Sequence, residues 1–264
     1  SRVSLLDASR LDRHAYLDSI IHRLDPRAKV MATLVFILAV VSFDKYTVSP
    51  LLPFLAFPMV IAVLGFVPFG LIVRRFALAL PFILLIGIFN PLLDRAVMVE
   101  VGGLHVSGGW VSFTSIFFRG LLCVTAGIVL IATTSMPRVA EALGGLRFPR
   151  VLVVQLLLLY RYLFVLMDEA GRMRRARALR AGTTKTSLRD ATGMLTTLLL
   201  RTVDRSEDIW RAMLVRGFEG ELRSPRRLRW YFSDTVFLVL VTAGCVALRV
   251  NPIANRLGGW ILNP

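Results

Sequence analysis

Apolar runs approaching twenty residues recur along this chain, at 28–43, 49–69, 76–89, 111–134 and 232–248, each bounded by charges, prolines or glycines. A run of that kind can cross the roughly 30 Å hydrocarbon layer as a helix, which satisfies its own backbone hydrogen bonds. The pattern predicts an all-α integral membrane protein of about five transmembrane helices. Composition agrees, with 56% of the 264 residues hydrophobic and a mean hydropathy of +0.67, and argues against a soluble enzyme. Asp25-Pro26 reads as an N-cap followed by a first helical residue at the membrane face. Pro58 and Pro81 predict kinks in the second and third spans, and Asn90-Pro91 ends the third. Gly102, Gly103, Gly108 and Gly109, with alternating residues between them, predict an outer loop holding a short hairpin. Arg119 falls inside the fourth span, which implies burial against protein, water or a carboxylate.

The formal charge is +15, from 32 Lys and Arg against 17 Asp and Glu. In a membrane chain such an excess marks the cytoplasmic side rather than nucleic-acid binding. Residues 136–230 hold 19 of the Lys and Arg against 9 Asp and Glu, yet keep helical periodicity, so they predict a cytoplasmic helical lobe outside the bilayer. The apolar stretch 151–167 is interrupted by Gln155 and Arg161. A crossing there would put the 15 Lys and Arg between 172 and 229 on the opposite side from Arg74 and Arg75, against the charge bias. Residues 149–181 therefore read as one long helix beginning at Pro149, with its apolar first half against the membrane domain. Ser187, with Asp190 three residues on, approximates a capping box for a second long helix. That helix carries a stripe of Leu188, Ala191, Leu195, Leu198, Thr202, Ile209 and Met213. The expected divisions are 1–135, an N-terminal segment and four spans; 136–230, the lobe; and 231–264, the last span and tail. This topology puts 27 of the 32 Lys and Arg inside, together with the N-terminus.

No catalytic constellation is visible. Gly182-Thr-Thr-Lys185-Thr-Ser187 lacks the glycine spacing that cradles phosphates. His14, His22 and His105 are too scattered for a metal site, and no cofactor is indicated. Asp168-Glu169 is better explained by an ion pair to Arg172 at helical spacing than by acid–base catalysis. Cys123 and Cys245 lie within apolar runs and read as structural. No cleavable signal peptide is visible in the first thirty residues.

Two arginine-bearing segments remain. Arg172-Met-Arg-Arg-Ala-Arg177-Ala-Leu-Arg180-Ala-Gly182 and Arg211-Ala-Met-Leu-Val-Arg216-Gly-Phe-Glu-Gly220 each read as a helix end, helix-compatible up to a glycine able to take the left-handed conformation. Arg174, Arg177 and Arg180 share a face, where like charges repel, so an outside anionic partner is implied. A basic lobe touching lipid head groups is the simpler alternative. It leaves unexplained why Arg216 recurs at a second helix end without surrounding arginines.

These two motifs, together with Leu24-Asp-Pro-Arg-Ala-Lys29 before the first span, resemble the T component of energy-coupling factor (ECF) transporters, the cobalt-type CbiQ family. The resemblance covers nearly the whole chain. It implies two crossed coupling helices in the lobe that dock into a pair of ABC-type ATPase subunits, where the ATP would be hydrolysed. It also implies a substrate-binding integral membrane subunit, with membrane lipid around the complex. Carried over by motif, the coupling residues are Ala176, Arg177 and Ala178, with Arg180 close by, and Val215, Arg216 and Gly217, with Phe218 following. Asp25, Pro26, Arg27 and Lys29 match the motif before the first span. The family implies a non-catalytic subunit of a cobalt ion importer in the inner membrane of a prokaryote. The alternatives are a T component shared for vitamin uptake, or a membrane enzyme or channel with a lipid-binding basic lobe.

Overall fold

The computed structural model describes residues 21, 24–44, 48–93, 97–101, 104–182, 187–220 and 229–250. In order they form α1 (Pro26–Val41), a 3-10 helix (Ser49–Leu55) running into α2 (Ala56–Leu64), α3 (Phe69–Leu93), the strands β1 (Val97–Val101) and β2 (Leu104–Ser107), α4 (Gly108–Thr134), α5 (Met136–Gly145), α6 (Arg150–Ala181), α7 (Leu188–Val215) and α8 (Phe232–Val250). The protein is an all-α membrane protein whose single described hairpin pairs β1 and β2 antiparallel, with Val101 opposite Leu104, inside the expected outer loop. His14 and His22 lie outside the described residues, as does the side chain of His105. The described residues divide into two compact units, one of 140–182 and 187–220, the other of 21, 24–44, 48–93, 97–101, 104–139 and 229–250.

The membrane unit is organised around α1, which packs against α4 and α8, while α2 and α3 both pack on α4. Asp25 begins α1 as read from the sequence. Its Oδ1 accepts the Arg27 backbone N–H at 2.8 Å, and Pro26 takes the first position, where no N–H is needed. Phe36 is fully buried among Val40, Leu51, Phe54, Leu122, Ala126 and Cys245, stacked on Phe57 at 4.5 Å between ring centroids and tilted against Phe54 at 6.0 Å. Burying one such side chain is worth about 1.5 to 3 kcal/mol. The opposite face of α1, with Leu34, Leu38 and Val41, is more than half exposed, which suits contact with lipid tails. At the far end Arg249 donates to Ser42 O at 3.0 Å and lies over the Phe43 ring, while Arg119 donates to Asp44 O. The intramembrane arginine thus meets protein, as its position demanded, and the acceptor is a backbone carbonyl. Cys123 and Cys245 are free thiols.

Two spans differ from expectation in their boundaries. The second opens as a 3-10 helix because Pro50 and Pro53 withhold two backbone donors from its first turns, and Pro58 then sits buried in the first turn of α2 instead of kinking a continuous helix. The third starts directly after Pro68 and runs 25 residues, so it takes in Arg74, Arg75 and Pro91, which the sequence reading placed in flanking segments. Proline inside a membrane helix is tolerated where neighbouring helices compensate for the missing hydrogen bond. Among the described residues four helices are long and apolar enough to cross a membrane: Phe69–Ile88, Gly109–Thr134, Arg150–Ala181 and Phe232–Val250; the third is α6, so length and apolarity permit a crossing there, and only the charge bias read from the sequence argues against it. The first span is a 16-residue helix, about 24 Å at 1.5 Å per residue, and the second is of similar length.

In the other unit α6 and α7 pack on each other. Pro149 is the N-cap of α6 and not its first helical residue, a shift of one position. The capping box of α7 forms as read: the Ser187 side chain accepts the Asp190 N–H at 3.2 Å, and Asp190 Oδ2 accepts the Ser187 N–H at 3.3 Å. The apolar stripe is shifted in its first half. Leu188, Ala191 and Leu195 are exposed, whereas Asp190, Met194, Leu198, Thr202, Ile209 and Met213 are half-buried. Neither helix contains a fully buried residue.

Candidate functional site

The two arginine motifs end up in different surroundings. The second closes α7. Arg216 is its C-cap, Gly217 follows at φ 74°, Gly217 N donates to Leu214 O at 3.0 Å, and Phe218 N donates to Met213 O at 3.0 Å. That pair of bonds is a Schellman motif, which only a residue tolerant of positive φ closes cheaply. Phe218 then meets the Trp210 ring edge-on at 6.2 Å, which pins the turn. The result is a glycine-closed helix end with Arg216 and Val215 exposed. Leu158, Arg161 and Tyr162 of α6 line the same groove as Arg216 and Phe218.

The first motif is held inside a helix pair. Gly182 ends α6 in the left-handed conformation at φ 61°, but Arg177 lies more than one turn earlier and is half-buried. Its guanidinium pairs with the Asp190 carboxylate of the α7 capping box. The sequence reading left that fork free for an outside carboxylate, and the structure gives it one from the neighbouring helix. No spacing rule could have found this, since Arg177 and Asp190 belong to separate helices. Arg180 and Ala176 are exposed along the same edge, and Ala178 is half-buried. The cleft between α6 and α7 is lined by Arg172, Arg177, Arg180, Arg189 and Arg201 against Glu169 and Asp190. Glu169 takes Arg172 at 2.6 Å, as expected, and also Arg201 of α7 at 2.6 Å. These hydrogen bonds, from Arg172 first, hold the Glu169 carboxyl below its ordinary value. The Asp190 carboxyl is held down by the Ser187 hydroxyl first and by Arg177 after it. The cleft is thus lined by five arginines against two carboxylates.

The third motif builds no surface. Asp25, Pro26 and Lys29 are buried and Arg27 half-buried. Lys29 Nζ donates to Thr133 O at 3.2 Å, and the Asp25 N–H donates to Asp234 Oδ1 at 2.8 Å. Sequence reading passed over Asp234, a fully buried acid two residues into the last apolar run. An acidic side chain in that position was the available signal. Among the described residues no group of three metal-ligating side chains converges.

A family model described as "Cobalt transport protein" matches residues 18–226, and the chain belongs to that CbiQ family. It is 28% identical over 256 residues to the energy-coupling factor transporter transmembrane protein EcfT of Macrococcus caseolyticus, an alignment spanning 89% of this chain and 95% of the relative. The corresponding protein of Limosilactobacillus fermentum is 29% identical over 262 residues, spanning 90% and 95%. The cobalt transport protein CbiQ of Salmonella typhimurium is 32% identical over 116 residues, spanning 40% of this chain and 52% of the relative. The protein is accordingly a multi-pass transmembrane component of an ECF transporter.

Proposed function

We propose that this chain couples the ATPase pair of an ECF-type importer to a substrate-binding membrane subunit, and that cobalt ion is the cargo. Arg216 carries the reading: a glycine-closed helix end bears one exposed guanidinium, the geometry of a docking peg that meets an acidic groove. Arg177 contributes from the partner helix through its pair with Asp190, and α6 and α7 pass the displacement along their length. The α6–α7 unit and the N-terminus face the cytoplasm in this reading, consistent with the placement of Lys and Arg in the sequence, and the complex sits in the inner membrane of a prokaryote. ATP hydrolysis belongs to the partner subunits. A T component shared between vitamin-uptake partners is the second reading, favoured by the full-length similarity to proteins named for the energy-coupling factor. It differs only in the substrate-binding subunit that accompanies the chain.

The test is Arg216→Glu. Like charges facing each other across an interface cost several kcal/mol, so the ATPases retained by the tagged chain fall at least about tenfold, tenfold corresponding to about 1.4 kcal/mol. Arg226→Glu changes the net charge equally outside the motifs and retains them. Equal losses from both substitutions overturn the reading and leave a general basic surface.

A further inference from the structure

The chain passes out of the membrane unit within α5, a few residues after the end of α4, and returns to it just before α8, and one buried polar group sits beside both points. On the way out, the last turn of α4 presents carbonyls without helical partners. Lys29 of α1 reaches one of them, Thr133 O, at 3.2 Å. The next residue but one, Ser135, is buried in the left-handed conformation at φ 54°, a strained turn for a residue other than glycine, and α5 begins directly after it. Thr133 is hemmed in further by Gly65, where an added Cβ would lie 2.8 Å from Thr133 Cγ2. On the way back, Asp234 is fully buried. Its Oδ2 accepts the Tyr231 N–H at 2.7 Å, fixing the approach to α8, and its Oδ1 accepts the Asp25 N–H at 2.8 Å, fixing α8 to the N-terminus of α1. A carboxylate between two helix N-termini is favoured by both dipoles. The charges acting on Lys29 are Arg138, Asp234 and Asp25, so the group is electrostatically one cluster.

We propose that Asp25, Lys29 and Asp234 are positioning residues that fix the two roots of the α6–α7 unit, so that displacement delivered to α7 is transmitted instead of absorbed by yielding of the roots. A structural stitch alone would need no convergence on both exits. A pair of α1–α8 bonds anywhere along their contact would serve, and Arg249 with Ser42 already provides one at the far end. Loose roots would let the lobe tilt without moving the rest of the complex.

This inference rests on the coupling function proposed above, and the experiment separates the two. The complex is purified through a tag on this chain and placed in liposomes, with Co2+ as the transport probe. Spin labels at Val63 and Ser206 report the distance between the units with and without ATP. In Asp234→Ala and Lys29→Met the ATPases stay bound and hydrolyse ATP within about twofold of the unaltered complex. Co2+ taken up per ATP hydrolysed falls about tenfold, and the label distance distribution at least doubles in width. Asp234→Glu, which keeps the carboxylate, restores uptake per ATP to within about threefold. Uptake and hydrolysis falling in parallel, or an unchanged distribution width, overturns the proposal. Failure of both Asp234→Ala and Asp234→Glu to accumulate in the membrane also overturns it, since the group would then hold the fold and not the roots. If the unaltered complex carries no Co2+, the cobalt reading fails while the distance measurement still decides the clamp.

Discussion

Helices α1 and α7 make opposite use of their polar residues. In α1, 16 residues long, seven are buried, its start is tied by Asp25, Lys29 and Asp234, and its far end is met by Arg119 and Arg249. In α7, 28 residues long, none is buried, and its ion pairs are exposed or half-buried. Buried polar groups in low dielectric are costly to separate and define one arrangement, whereas exposed pairs are each worth about 0 to 1 kcal/mol and are screened by salt. The contrast separates a part held in one arrangement by buried polar bonds from a part whose ion pairs cost little to rearrange. The membrane unit is its own scaffold, and α6 and α7 present surface that other molecules can cover.

The largest test of this contrast is a pair of truncations. Phe36→Ala opens a cavity in the membrane core and is expected to cost about 3 to 5 kcal/mol, seen as loss of the folded fraction in a denaturant titration in detergent. Leu199→Ala, in the exposed half of α7, is expected to stay within about 0.5 kcal/mol in the same titration. Comparable losses from the two would mean that α7 is part of a core, and the division drawn here would fail.

How far the sequence could anticipate this contrast depends on range. Asp25-Pro26, Ser187 with Asp190, and Arg216-Gly217 were legible because cap chemistry is completed within a few residues. The apolar runs located helices α1 to α4 and α8, although Arg74 and Arg75 disguised the true start of α3: two charges look like a loop unless Pro68 is taken as the helix start. Contacts between helices were not legible. Asp25 and Asp234 stand 209 positions apart, and nothing in either neighbourhood names the other. Arg177 looked free for the same reason, because its partner Asp190 already had a local role in the α7 cap. The phase of the α7 stripe shifted because apolar residues at 188 and 195 outvoted the half-buried Met194 and Asp190, which face the ionic cleft.

A smaller effect is expected from Ser187→Ala. It removes the hydroxyl that accepts the Asp190 N–H and donates to Asp190 Oδ2 at 2.6 Å, so the first turn of α7 frays. Loss of such a cap costs about 1 kcal/mol, and faster amide exchange is expected over residues 188–192 with no change in α1. Protection lost in both helices would show the two units to be one cooperative body.

The smallest expected effect is on acidification, and it bears on Arg177. The Asp190 carboxyl is held below its ordinary value by the Ser187 hydroxyl and the Arg177 guanidinium, so the native state binds this proton more weakly than the unfolded chain. The stabilisation is therefore complete above the unfolded value of about 3.9 and is lost as pH falls through the folded one. From pH 9 to pH 5 the α6–α7 pairing is expected to stay constant, and the Arg177 to Asp190 link opens only as pH falls below the ordinary carboxylate range of about 4 and through the lowered folded value, together with the Glu169 pairs to Arg172 and Arg201. The Asp190 carboxyl carbon resonance in a selectively labelled sample reads this directly. Its midpoint moves up toward the ordinary carboxylate value in Ser187→Ala, which removes the largest single influence, and is expected to move up less in Arg177→Gln. The reverse order would make Arg177 the dominant partner of Asp190, and this first arginine would then serve to lock the two long helices together before it serves any outside groove.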